Sequence, residues 1–137
     1  MKYKYEEPIS GFSHCVINSC LPKNKIAYRW TFESIQNTNN FIPRYLTSAY
    51  ESLPKDDCVG YALSMFDEED RAIARLNKIC EGKKYLYKKL GTHLSKGILL
   101  EKEGVCSDSD ENGHFSFFEA AEVDLSSSFT VIKPIMQ

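Results

Sequence analysis

The clearest pattern in the chain is an alternation of apolar and polar residues over positions 25–32. Successive side chains of a strand point to opposite faces, so this alternation predicts a β-strand. We expect its buried face to consist of Ile26, Tyr28, Trp30 and Phe32. The opposite, more polar face consists of Ala27, Arg29, Thr31 and Glu33.

A second alternating run predicts a strand at positions 58–66. One face of this strand is apolar, whereas the other contains only the small residues Gly60, Ala62 and Ser64. A face without large side chains allows a helix or a ligand to approach the backbone closely.

A helix is predicted directly after this strand, at positions 67–81. Asp67 is a suitable N-cap, and the acidic residues that follow it favour the positive end of the helix dipole. Apolar residues recur at helical spacing within 73–79, and Gly82 is a common helix end.

Three further strands are predicted, at positions 98–105, 114–118 and 129–132. A short helix fits around 45–51, residues 84–90 fit either a helix or a strand, and 1–24 is irregular because proline, glycine and asparagine interrupt it. This order of elements indicates an α+β fold. We expect one domain over 1–137, with a mostly antiparallel sheet of about five strands and 67–81 as its principal helix.

The acidic run at positions 108–119 allows two interpretations. It matches the calcium loop of an EF-hand, with the candidate ligands Asp108, Asp110, Asn112 and Glu119. However, an EF-hand needs a helix leading into the loop, and Gly104 would destabilise the last turn of that helix by about 1 kcal/mol relative to alanine. An Asn-Gly turn signal followed by aromatic residues predicts a β-hairpin instead. We favour the hairpin and expect no cofactor, with a calcium-binding module as the alternative.

Composition and charge are ordinary for a globular protein, with 42% hydrophobic residues and a net charge of −2. This charge gives no general attraction to nucleic acid or to an anionic membrane. A candidate patch for nucleic acid consists of Lys83, Lys84, Lys88 and Lys89. The sequence contains neither a signal peptide nor a run of ~20 apolar residues, so we expect a cytoplasmic protein. Its five cysteines, odd in number and irregularly spaced, are then expected to be free thiols.

Few residues have the sequence context of a catalytic group. No G-x-S-x-G elbow surrounds Ser64, which argues against a serine hydrolase. His93 and His114 are candidate general bases, but structural roles are expected for both.

Three short segments resemble elements of small bacterial ADP-ribosyltransferase-like domains, including NAD-degrading toxins of the RES type. The segments are Tyr28-Arg29-Trp30, Ala62-Leu63-Ser64-Met65-Phe66 and Phe117-Phe118-Glu119. The shared features are an early strand arginine, a later strand serine followed by a helix, and an acidic residue near aromatic strands. The resemblance implies an enzyme that consumes NAD, with Arg29, Ser64 and Glu119 as its catalytic residues.

The function we expect from the sequence is that of a small cytosolic accessory or regulatory domain that binds another protein. Eight tyrosines and eight phenylalanines support this expectation, because aromatic residues are enriched in protein interfaces. The first alternative is the NAD-consuming or ADP-ribosyl-transferring enzyme, and the second is the calcium-binding module.

Overall fold

A computed structural model describes residues 1–136 of the chain. Its strands are β1 (Lys25–Thr31), β2 (Leu63–Phe66), β3 (His93–Leu99), β4 (Gly104–Cys106), β5 (His114–Glu119) and β6 (Phe129–Pro134). Its α-helices are α1 (Glu6–Ser10), α2 (Glu69–Cys80) and α3 (Tyr87–Leu90). The strands form one antiparallel sheet in the order β4-β5-β2-β1-β3-β6. The α+β prediction is confirmed, with six strands in place of about five.

The sheet curls around its own core. Five residue steps lead from the end of β3 to the start of β4, which is at most ~18 Å of extended chain. In a flat sheet these two strands would lie ~19 Å apart, and part of the connection is spent on a 3₁₀ turn at Glu101–Glu103. The concave face therefore closes on one buried cluster from all strands: Ala27, Leu63, Met65, Leu99, Cys106, Phe115, Phe117, Leu125 and Phe129.

Two separate layers cover the convex face of the sheet. The helix layer is built around α2 and buries Phe66, Ala72, Leu76, Cys80, Leu94 and Ile135. The N-terminal layer comes from the first part of the chain and buries Ile9, Cys20, Cys58, Ala62, Val105 and Phe118. The concave face is filled by the central cluster and the convex face is covered by these two layers, so exposed side chains of the sheet can lie only where the layers leave a gap.

The strand predicted at 58–66 is only half right. Cys58–Tyr61 is a 3₁₀ turn, and its N–H at Val59 donates to the Asp57 side chain. Gly60 lies so close to the Tyr45 ring that a Cβ there would come within 2.3 Å of ring atoms. The glycine therefore serves this tertiary contact, which the alternation did not reveal.

The single strand predicted at 98–105 is wrong, because the chain turns between β3 and β4. The Glu103 carboxylate accepts the Leu100 N–H at 2.8 Å and closes that turn. The hairpin prediction is confirmed, since β4 pairs with β5 through the register Val105↔Phe118.

The predicted faces of β1 are reversed in part. Ala27 and Thr31, expected on the polar face, are fully buried, whereas Ile26 is 48% exposed. Thr31 is accommodated on the concave face because its hydroxyl bonds that of Ser95 at 2.5 Å. Trp30 is half-buried under α2 and donates its indole N–H to the Ala72 carbonyl at 2.8 Å.

The prediction that every cysteine is a free thiol is wrong for two of them. Cys15 and Cys58 form a disulfide with a Cα–Cα distance of 5.8 Å. These residues lie 43 positions apart, and only the N-terminal layer brings them together. Cys20, Cys80 and Cys106 are buried free thiols.

The helical predictions need smaller corrections. Asp67 does not cap α2, because the helix begins at Glu69. The Asp67 carboxylate instead pairs with Lys25 at 2.6 Å. The segment 84–90 is helical, and the helix predicted around 45–51 is replaced by short 3₁₀ turns. Among residues 1–136, no helix has the length and apolar character to span a membrane.

Candidate active site

An exposed strip of the convex face lies between the two covering layers. Along β2, Ala62 just before the strand packs into the N-terminal layer, and Phe66 packs into the helix layer. Ser64 lies between them on the same face and is exposed, while its neighbours Leu63 and Met65 point into the central core. The gap between the layers is therefore what leaves this hydroxyl accessible.

The Ser64 hydroxyl is hydrogen-bonded to His114. Its Oγ lies 2.9 Å from Nε2 of the imidazole. β2 and β5 pair in the register Ser64↔Ser116 and Phe66↔His114, so Ser64 and His114 are diagonal neighbours on the convex face. The His114 ring also packs against Phe66 with its centroid 5.3 Å away, which limits its rotation.

Asp110 lies on the other side of the imidazole. Its Oδ1 accepts the N–H groups of Asn112 and His114, so this carboxylate is held by the backbone of the hairpin loop. Its Oδ2 lies 3.9 Å from Nδ1 of His114, beyond hydrogen-bond length but close enough to favour a proton there. In the neutral ring, Nε2 is then free to accept the Ser64 proton.

The surroundings of His114 favour its neutral form. Burial lowers the pKa of His114, and the charges of Arg75 and Arg44 lower it further against the opposing effect of Asp110. A pKa below the usual value of 6.5 leaves the ring unprotonated at neutral pH. A serine hydroxyl bonded to a neutral imidazole is the arrangement that general-base activation requires.

Three arginines lie on elements next to this pair of residues. Arg71 donates from Nη1 to the Glu111 carbonyl at 3.0 Å and so ties α2 to the hairpin loop. Arg75 lies one helical turn further along α2 and is exposed. Arg44 stands over the rings of Tyr45 and Tyr50, 5.3 and 5.6 Å from their centroids.

The structure divides the three residues of the ADP-ribosyltransferase resemblance between the two faces of the sheet. Arg29 points to the concave side, where Nε donates to the Asn40 carbonyl and Nη1 to the Ser64 carbonyl. Glu119 belongs to the same face and interacts electrostatically with Arg29. The Ser64 hydroxyl points the other way, so the three side chains do not meet at one point.

Arg29 and Glu119 are both perturbed by burial. Burial lowers the pKa of Arg29 to about 10 and the Glu119 charge opposes this, so Arg29 stays charged at neutral pH. Burial also raises the pKa of Glu119, although Lys4 donates to its Oε2 at 2.8 Å. Oε1 of Glu119 is buried without a hydrogen-bond partner. The ion pair between Lys4 and Glu119 anchors the N-terminal layer, at a cost in desolvation of the buried carboxylate.

The four candidate calcium ligands are likewise not assembled. Asp108, Asp110 and Asn112 lie in the hairpin loop, whereas Glu119 ends β5, about 17 Å along the strand at ~3.4 Å per residue. Glu119 is also engaged by Lys4. Within residues 1–136, no group of three or more His, Cys, Asp or Glu side chains is arranged to hold a metal ion.

Other candidates lie apart from this chemistry. The four lysines of the predicted patch are exposed around α3. A hollow of about 450 Å³ lies nearby, lined by Asn77, Cys80, Glu81, Gly82, Lys84, Tyr87 and Ile135. His93 bonds its own neighbour, Thr92, at 2.8 Å. The hollow contains no histidine, and the contact of Thr92 with His93 joins two adjacent residues of one segment.

No protein-family model matches the chain, and neither the curated proteins nor the solved structures contain a match. Function must therefore be argued from the geometry. Sequence reasoning singled out Ser64 and His114 separately but did not pair them. The alternation within 114–118 could have placed His114 opposite the buried phenylalanines, but only the register of β2 with β5 brings it to Ser64.

Proposed function

We propose that this protein is an enzyme in which Ser64 is the nucleophile and His114 the general base. The observation that carries the proposal is the 2.9 Å contact between Ser64 Oγ and His114 Nε2 on an exposed part of the sheet. Nucleophile–base pairs of this kind are recognised by geometry and not by position in the sequence. Asp110 supports the assignment because it faces the second ring nitrogen, as the orienting acid does in such sites.

The reaction is a group transfer in two steps. Ser64 Oγ attacks an electrophilic centre of the substrate while its proton passes to Nε2 of His114. The imidazolium returns this proton to the leaving group as the bond to that group breaks. Water, deprotonated by His114, then attacks the ester formed on Ser64, and the proton goes back to Oγ.

Labelling with a fluorophosphonate tests this proposal, because such probes react with activated serines. We expect labelling of Ser64 that is lost in Ser64→Ala and strongly reduced in His114→Gln. Ser116→Ala is the matched control, since Ser116 is the direct cross-strand neighbour of Ser64. The labelling rate should rise with pH around a midpoint below 6.5, because the pKa of His114 is lowered. A rate unaffected by His114→Gln, or no labelling at all, would refute the proposal.

Cleavage of NAD is a more specific reaction, implied by the resemblance. Of the three residues of the resemblance, only Ser64 lies at the proposed site, where its hydroxyl is bonded to His114; Arg29 and Glu119 lie on the opposite face of the sheet. Incubation with NAD, followed by chromatography for nicotinamide, tests it. Turnover that is lost in Ser64→Ala but kept in Ser116→Ala would support this reaction, and an absence of nicotinamide release would exclude it.

Protein binding, the function expected from composition, is the second candidate. Its support is a pair of facing residues, Ile26 and Ile98, which are 48% and 55% exposed on adjacent strands. Affinity purification with the wild-type chain and with Ile98→Asp tests whether this exposed isoleucine pair binds another protein. A protein retained only by the wild type would support this candidate, and equal retention would contradict it.

A further inference from the structure

Two of the arginines near the candidate active site have no acidic partner. Arg44 and Arg75 are both exposed. The ion pairs within residues 1–136 involve other cations. Arg71 differs from them, because its guanidinium is already bonded to the Glu111 carbonyl. The two arginines without an acidic partner come from separate elements, the 3₁₀ turn at Arg44–Leu46 and α2.

Both unpaired arginines are positioned by the fold. Arg75 belongs to α2, and this helix packs on Phe66 of β2, the strand that also carries Ser64. Arg44 is placed over two tyrosine rings, and its 3₁₀ turn contacts the turn that leads into β2. Cation–π contacts of this kind restrict the side chain while leaving its N–H donors free. Both elements therefore border the part of the sheet that carries Ser64 and His114, because α2 packs on Phe66, the cross-strand neighbour of His114, and the turn of Arg44 contacts the turn before β2.

We infer that the substrate carries a phosphate group, which Arg44 and Arg75 bind beside Ser64. This inference rests on the proposed function and adds its substrate class. A guanidinium donates two parallel hydrogen bonds to phosphate oxygens. Two arginines also match the roughly −1.5 to −2 charge of a phosphate monoester better than the single charge of a carboxylate. Asp110 does not compete for this position, because it faces Nδ1 on the other side of the imidazole.

The test uses pyrophosphate as the probe and His114 as the reporter. The pKa of His114 is measured by NMR with and without pyrophosphate, at an ionic strength held constant with chloride. An anion of charge −2 about 6 Å away in water-like dielectric should raise the pKa on the order of one unit. Acetate at the same concentration is the comparison for a carboxylate, and Lys88→Gln, at an exposed position of α3, is the control variant.

We expect the rise with pyrophosphate in the wild type and in Lys88→Gln, and its loss in the Arg44→Gln, Arg75→Gln double variant. The double variant should also show a higher pKa of His114 without any anion, because two positive charges are removed. An unchanged pKa, an equal rise with acetate, or an equal rise in the double variant would overturn the inference. Fluorophosphonate labelling of Ser64 is measured without pyrophosphate, so failure of the proposed nucleophile is distinguishable from failure of phosphate binding.

Discussion

Removal of the Cys15–Cys58 disulfide should destabilise the protein substantially. The bond closes a loop of 43 residues in the unfolded chain. The loop-entropy relation for this length gives about 4 kcal/mol at 25 °C. Engineered and natural disulfides often contribute less, so we expect a loss of about 2–4 kcal/mol, a large part of the ~5–15 kcal/mol typical of a domain.

Other contacts of the N-terminal layer should keep the reduced protein folded. Leu21 pairs with Cys106 through two backbone hydrogen bonds of 3.0 and 2.8 Å, and the Lys4 N–H donates to the Glu119 carbonyl at 3.0 Å. These contacts fix both ends of the layer, whereas the disulfide joins its middle to the 3₁₀ turn at Cys58–Tyr61. Reduction is therefore expected to lower stability without unfolding the sheet.

Urea denaturation of the wild type and of the Cys15→Ser, Cys58→Ser variant, each with and without reductant, measures this effect. Reductant should lower the midpoint of the wild type to that of the variant and leave the variant unchanged. A difference below ~1 kcal/mol between oxidised and reduced wild type would refute the reasoning, because loop closure would then not constrain the unfolded chain. A reductant effect on the variant would implicate the three remaining thiols instead.

Three further predictions test the core and its charges. Burial raises the pKa of Glu119 above 4.5, so the protonated carboxyl stabilises the fold below that pH, and this stabilisation is lost as pH rises through the folded pKa. Urea denaturation from pH 4 upward should therefore show the wild type losing stability relative to Glu119→Gln. The opposite trend would contradict this prediction. Gly97→Ala would place a Cβ 2.5 Å from the buried Phe129 ring and should cost about 1–3 kcal/mol in free energy of unfolding, against a negligible change for Gly11→Ala, whose Cβ meets one atom at 3.4 Å. Trp30→Ala should cost about 2–3 kcal/mol, less than the ~3–5 kcal/mol of a fully buried indole, because Trp30 is half-buried; a loss below ~1 kcal/mol in equilibrium denaturation would show that its contacts with Ala72 and Phe66 contribute little.

The sequence by itself determined the elements whose signals are local. Alternation over positions 25–32 predicted β1, and helical spacing of apolar residues predicted α2 to within two residues at its start. The Asn-Gly turn signal predicted the hairpin between β4 and β5. These features depend on the period of side-chain direction and on turn conformation, which neighbouring residues are sufficient to fix.

The tertiary structure alone decided which faces are buried and which side chains meet. Ala27 and Thr31 are buried because the sheet curls around them, and no local pattern encodes that curl. Cys15 reaches Cys58 only through the packing of the N-terminal layer.

The candidate active site has the same origin. Ser64 and His114 are 50 positions apart and meet because two strands pair in one register. A shift of that register by one residue would turn the Ser64 hydroxyl and the His114 ring to opposite faces, since successive side chains of a strand alternate. Register is set by packing of the whole core, so the sequence supplied the reactive groups and the fold supplied their contact.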